Sequence, residues 1–265
     1  LSRSCTLYPS GDRDGQFTSI VAFAKRELFT CFKFCWFFSY LTRGSMLHKY
    51  CLLNDINLEY YHIEGRLMMR NPDGEYIETY PEGMERLVIL DDKLFNMESS
   101  LSKEWYKRLR TDKTDRGLKT LKTRFRNAYA FLRAHGVRGN TFMFTTFNAY
   151  KDMLQSDGRH YPTLKRFLPC NTKATNDYSN CTGVVYLCNR FFDVNCTNFL
   201  AQRAKEQNIP DLEFDNDNYA LSELLQFIWR SNVRIKDSDK PVYVWVPDKR
   251  MRMLLQDFLR RALSP

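Results

Sequence analysis

PVYVWVPDKRMRMLLQDFLRRAL, residues 241–263, sets two elements end to end. Pro241–Val246 is a run of β-branched and aromatic side chains, which suits a buried strand. Asp248 then offers a helix cap, and Lys249–Leu263 predicts a final helix. The same alternation runs upstream. Thr141–Phe147 (TFMFTTF) reads as a buried strand and Asn148–Leu154 as a short helix, while Val184–Phe191 and Thr197–Gln207 read as further helices. The acidic loop Asp211–Asn218 supplies caps for a helix carrying LLQFIWRSNVR, Leu224–Arg234. Strand and helix alternating in this way predict an α/β fold, a mostly parallel sheet flanked by helices.

The front of the chain reads differently. Asn57–Tyr80 predicts two strands around the turn Asn71-Pro72-Asp73-Gly74, and Leu87–Leu90 predicts a strand that ends at Asp91 and Asp92. Leu28–Leu41 is apolar over only fourteen residues and contains Lys33. That is too short and too interrupted for a membrane span, so we expect a buried helix there or sequence outside the folded unit. Three regions follow: an apolar N-terminal segment over 1–45, a small β-rich region over 46–100, and an α/β domain with basic helices over 101–265. The chain opens on Leu1, not on Met, and is read as a fragment.

A length of 265 residues with 43% hydrophobic and 15% aromatic content supports a substantial core and argues against disorder. The net charge is +9, and Leu101–Arg138 alone holds twelve Lys or Arg against three acids, an excess that equals the charge of the whole chain. Such a segment points to a polyanion, nucleic acid foremost. Within Arg116–Arg133, Leu118, Leu121, Phe125, Ala128 and Leu132 recur at helical steps while Lys119, Lys122 and Arg126 fall between them. This predicts an amphipathic helix whose basic face either tracks phosphates or is simply solvated. The eight cysteines contain no C-x-x-C pair and the four histidines are scattered, so we expect free thiols in a reducing intracellular compartment and no metal site. The sequons at Asn180 and Asn195 carry no weight without a secretory signal. Cys170 has His160 ten residues upstream, but chain proximity does not make a catalytic pair.

On the helix predicted to carry Leu224–Arg234, Gln226, Arg230 and Arg234 recur every four residues and would share one stripe that extends back to Ser222. Arginines one turn apart clamp adjacent phosphates and stabilise charge on a transferring phosphoryl group; a solvated face is the plainer reading. In order along the chain come FMFTTFNAYK, KATNDY and QFIWRSNVR. From about Leu101 onward this series resembles the second RecA-like domain of superfamily 2 (DEAD/DEAH-type) helicases.

The resemblance implies a RecA-like sheet, a nucleic-acid-dependent ATPase activity, and ATP with Mg²⁺ as cofactors. It implies that Arg230 and Arg234 reach the ATP phosphates, Gln226 helps position nucleotide or water, and Thr146, Thr175 and Asn176 contact a nucleic-acid backbone. Lys119, Lys122 and Arg126 would add phosphate affinity. QFIWRSNVR departs from the family pattern: Trp229 replaces a glycine, and the second arginine follows after four residues where three is commoner.

No G-x-x-x-x-G-K-[ST] occurs in residues 1–265, so hydrolysis requires a P-loop supplied from elsewhere. Asp91 and Asp92 read either as an acidic pair holding Mg²⁺ through water or as a capped turn after a strand. The competing reading is a basic nucleic-acid-binding accessory module, from a replication or mobile-element protein, without nucleotide hydrolysis.

Overall fold

The computed structural model describes residues 5–11, 17–64, 67–111, 116–155, 164–170, 172 and 176–264; for 5–11, 17–20 and 64 it describes the backbone. In chain order the elements are β1 (Cys5–Gly11), β2 (Phe17–Ala24), α1 (Glu27–Thr30), α2 (Met46–Leu53), β3 (Tyr61–Glu64), β4 (Leu67–Arg70) and β5 (Leu87–Ile89). They continue with α3 (Lys103–Thr111), α4 (Arg116–Ala134), β6 (Phe142–Thr145), β7 (Gly183–Tyr186), α5 (Val194–Gln207), α6 (Asn216–Ile228), β8 (Val242–Trp245) and α7 (Lys249–Leu263). Two compact units result: Leu1–Thr79 with Phe191–Tyr219, and Tyr80–Arg190 with Ala220–Pro265.

In the first unit β1 pairs with β2 and β3 with β4, both antiparallel. Val21, Phe199 and Leu200 form a small core joined by Phe23, Met46, Leu53 and Phe214. The β3–β4 register pairs Glu64 with Leu67, so the hairpin closes there and not at Asn71–Gly74. Asn71 is instead buried beyond β4, where its amide meets His62 Nδ1 at 2.7 Å and donates to the Glu75 carbonyl at 2.8 Å. A buried helix over Leu28–Leu41 is not formed either. Only α1 is helical, and Phe32, Phe34 and Phe38 are 61%, 70% and 78% exposed. Rings at Phe32, Phe34, Trp36, Phe37 and Phe38 point round the whole circumference of a helix and leave no single stripe for it to bury.

In the second unit four parallel strands lie in the order β5-β8-β7-β6. Phe142, Phe144, Val185, Leu187 and Trp245 share one core with α3 and α4, which contribute Tyr106, Leu121, Phe125 and Leu132. The intervening side chains point the other way, as pleating requires, and Tyr186 meets Phe227 of α6 with ring centroids 5.6 Å apart. The sheet is therefore helix-covered on both faces.

The α/β expectation holds, with the strands expected at Leu87, Thr141 and Pro241 found as β5, β6 and β8. Val184–Phe191, expected as a helix, is not one: its first residues belong to β7, all four of whose residues are buried. A strand covered on both faces loses the polar alternation that distinguishes it from a buried helix. No described helix is long and apolar enough to cross a membrane.

Candidate functional site

The expected stripe of arginines is not helical. Trp229 N–H still bonds back four residues to Leu225 O at 2.8 Å, but Arg230 N–H bonds three back to Phe227 O at 3.1 Å and the helix closes. Ser231 completes the stop: its hydroxyl donates to Ile228 O at 2.6 Å and accepts from Val233 N at 3.4 Å. Residues 229–235 thus form a loop leading into β8, and the four-residue spacing of Gln226, Arg230 and Arg234 no longer aligns them. Gln226 is exposed on α6, where its amide donates to Ser222 Oγ at 3.0 Å, not toward either arginine.

The loop is held from three sides at the amino edge of the sheet. Asn232, only 8% exposed, receives the next loop: its N–H donates to Cys181 O at 2.8 Å and its side-chain amide to Ser179 O at 3.3 Å. Arg86, directly before β5, spreads its guanidinium under the loop, with Nη2 donating to Val233 O at 2.6 Å and Ile235 O at 3.0 Å. Its Nη1 donates to Asn232 O at 3.2 Å and Asn232 Oδ1 at 3.3 Å. Gly83 makes this approach possible: its φ is +89°, and a Cβ there would lie 2.7 Å from Val233 O. Arg166 ties the neighbouring loop, Nε to Phe142 O at 2.7 Å and Nη2 to Asn140 O at 2.9 Å, while lying over the Tyr178 ring.

Arg234 is exposed on this frame, and its Nη1 donates to Asn176 Oδ1 at 2.7 Å. Two residues chosen from separate stretches of sequence therefore meet. Arg230 is half-buried and turns inward, donating to the carbonyls of Cys170 and Thr172; burial pulls its guanidinium below the ordinary arginine value. Trp229 and Tyr178 are half-buried. Thr175 lies outside the described residues, as does His160.

Thr146 is placed elsewhere. It follows β6, at the opposite edge from Asn176 and Arg234, and is fully buried with its hydroxyl donating to Leu187 O at 3.4 Å. A hydroxyl at the end of a doubly covered strand packs inward instead of meeting a nucleic-acid backbone. On α4, Leu118, Leu121 and Phe125 are buried while Lys119 and Arg126 are exposed and Lys122 is half-buried, so the basic face does look outward.

The carboxyl edge, beyond the ends of the strands, is cross-braced. Asp248, 1% exposed, accepts from Met251 N at 3.0 Å and from Leu101 N at 2.8 Å, capping α7 and fastening the start of α3. Arg250 Nη1 donates to Asn189 Oδ1 at 2.6 Å. Asp91 pairs with Arg252 Nε at 3.0 Å and accepts from Asn96 and Gln256, each at 2.7 Å. Those side-chain hydrogen bonds, Asn96 first, then Gln256, hold its carboxyl below the ordinary value. Asp92 caps the turn by accepting from Leu94 N at 2.7 Å.

A parallel sheet covered on both faces by helices that connect its strands defines a Rossmann-like α/β domain. The chain belongs to the family described as the YonV C-terminal Rossmann-like domain, whose model matches residues 82–259, about two-thirds of the chain. It is 34% identical over 160 residues to the SPbeta prophage-derived uncharacterized protein YonV of Bacillus subtilis (strain 168). That alignment covers 60% of this chain and 34% of the relative, so the chain spans about a third of the relative's length. No solved structure matches.

Arg86, Arg166 and Asn232 went unnoticed in the sequence. Arg86 binds residues 146 to 149 positions later, and no local spacing encodes such a partner. Gly83 three residues before it was the readable sign that backbone passes close by.

Proposed function

We propose that the second unit, Tyr80–Arg190 with Ala220–Pro265, serves as the second motor lobe of a helicase-like, nucleic-acid-dependent ATPase, with Arg234 as its phosphate-facing arginine. The observation that carries this reading is the Arg234–Asn176 contact, with an exposed guanidinium mounted on a loop fixed by Arg86. A preorganised donor stabilises developing phosphoryl charge without reorganisation at the moment of reaction. In this reading Arg230 positions the loop against the Cys170 and Thr172 carbonyls, and Asn176 stands beside the nucleic-acid backbone. ATP and Mg²⁺ come from a P-loop lobe outside residues 1–265. The basic face of α4 adds phosphate affinity that falls with salt.

The test uses a reconstituted ATPase in which a P-loop lobe accompanies this chain. Arg234→Ala lowers polynucleotide-stimulated ATP turnover by about 10³-fold while its polynucleotide affinity stays within about threefold of wild type. The binding-module reading is favoured by the exposed Lys119 and Arg126 on α4. It wins if turnover survives Arg234→Ala while Ala at Lys119 and Arg126 flattens the salt dependence of binding by about two log units per log unit of salt. Binding insensitive to salt defeats both.

A further inference from the structure

Between β7 and α6 lies a group of side chains that the motor reading does not use. Cys188 follows β7 by two residues and is fully buried, whereas Cys170, on the segment between β6 and β7, is only partly buried. Cys188 is the neighbour that acts most strongly on the Cys170 thiol, and Cys170 acts on Cys188 in turn, which sets the two side chains beside each other. Arg190 sets its Nη1 3.4 Å from Cys170 Sγ and its Nη2 3.0 Å from Glu223 Oε2, so the ion pair aims the cation at sulfur. Tyr186 completes the group: its hydroxyl is buried without a hydrogen-bond partner and interacts electrostatically with both thiols.

We propose that Cys170 and Cys188 form a dithiol–disulfide couple, with Cys170 the reactive thiolate that takes up soluble disulfides. The inference stands apart from the motor reading. An arginine beside a partly accessible sulfur stabilises the thiolate, and a second thiol in contact is placed to resolve any adduct. In the first step Cys170 thiolate attacks one sulfur of oxidised glutathione; an S–S bond forms to the protein and the other glutathione leaves as thiolate, which takes a proton from solvent. In the second, Cys188 gives up its proton and attacks Cys170 Sγ, expelling the second glutathione as thiolate, which is likewise protonated. Two thiols and one disulfide become one protein disulfide and two molecules of reduced glutathione. Hydrogen bonding from Cys188 lowers the Cys170 thiol to about 6, with the Arg190 charge assisting; burial pushes Cys188 and Tyr186 up, so the resolving thiol and the phenol keep their protons until needed. The Cys170 carbonyl also accepts from Arg230, so the couple adjoins the segment that anchors the arginine loop.

The experiment treats the whole chain with oxidised glutathione and maps cysteines by mass spectrometry. The expected product is a Cys170–Cys188 disulfide that forms ahead of adducts on the exposed Cys31 and Cys35. Iodoacetamide labelling of Cys170 should slow only about twofold between pH 8 and pH 6, against about 75-fold for an ordinary thiol of pKa about 8.5. In Cys188→Ser the reaction should stop at glutathionylated Cys170. If Cys170 stays unmodified, cross-links elsewhere, or shows the steep pH profile of an ordinary thiol in the wild-type chain, the proposal falls, whether or not the variant folds.

Discussion

At the carboxyl edge of the sheet, where open α/β sheets usually bind their ligands, Asp91, Asp248, Asn189 and Arg252 are all engaged in bracing the chain. At the amino edge Arg86, Arg166 and Asn232 are engaged too, but what they hold is a loop that leaves Arg234 exposed. The two edges carry similar residues and spend them differently. One joins elements of the fold, and the other leaves an arginine facing solvent. A charged residue's type thus says little about its role until the partner's position is known.

Substitutions can break that contrast. The largest effect is the loss of turnover described for Arg234→Ala, which should leave the unfolding midpoint in urea nearly unchanged because an exposed arginine with one side-chain contact carries little stability. Arg86→Met should destabilise the second unit by about 3 kcal/mol in urea unfolding, since several loop carbonyls lose one buried donor together. If it costs no more than an exposed arginine does, the loop is not mounted as described. Asp248→Ala should cost about 2 kcal/mol through a lost helix cap and an orphaned Leu101 N–H, without touching polynucleotide affinity.

The smallest effect belongs to Asp91→Asn, under about 1 kcal/mol, because the ion pair with Arg252 is half open to solvent. Its sign is set by the lowered carboxyl. The folded protein holds Asp91 ionised to lower pH than the unfolded chain does, so the stabilisation is present above the ordinary carboxylate value and fades as pH falls through the folded one. Urea midpoints of wild type and Asp91→Asn should therefore differ at pH 7 and converge as the pH falls below the ordinary carboxylate value.

Much of this contrast was readable in the residues themselves. Val242–Val246 with Asp248 after it announced β8 and α7, and the period of Leu118, Leu121, Phe125 and Leu132 announced α4. Where a strand is buried on both faces, as β7 is, the pattern that separates strand from helix disappears. The Leu224–Arg234 stretch shows a second limit. Helical spacing was real as far as Ile228, but the Ser231 hydroxyl competes for backbone groups and ends the helix before the arginines can line up. Asn176 and Arg234 were both singled out in the sequence, yet their meeting depends on loops docked by Arg86, which no periodicity reports.

The strand order has a consequence for how the second unit comes into being. β8 is the last of the described strands in chain order, yet it lies between β5 and β7. Until it arrives, β5 has no neighbour in this sheet and β7 lacks one of its two. Closure of the sheet therefore waits for pairings across more than 150 residues, such as Leu87 with Val242. Such long loops slow the search for native contacts. A ribosome that has released everything before residue 242 would be carrying helices and half a sheet, with the keystone still to come.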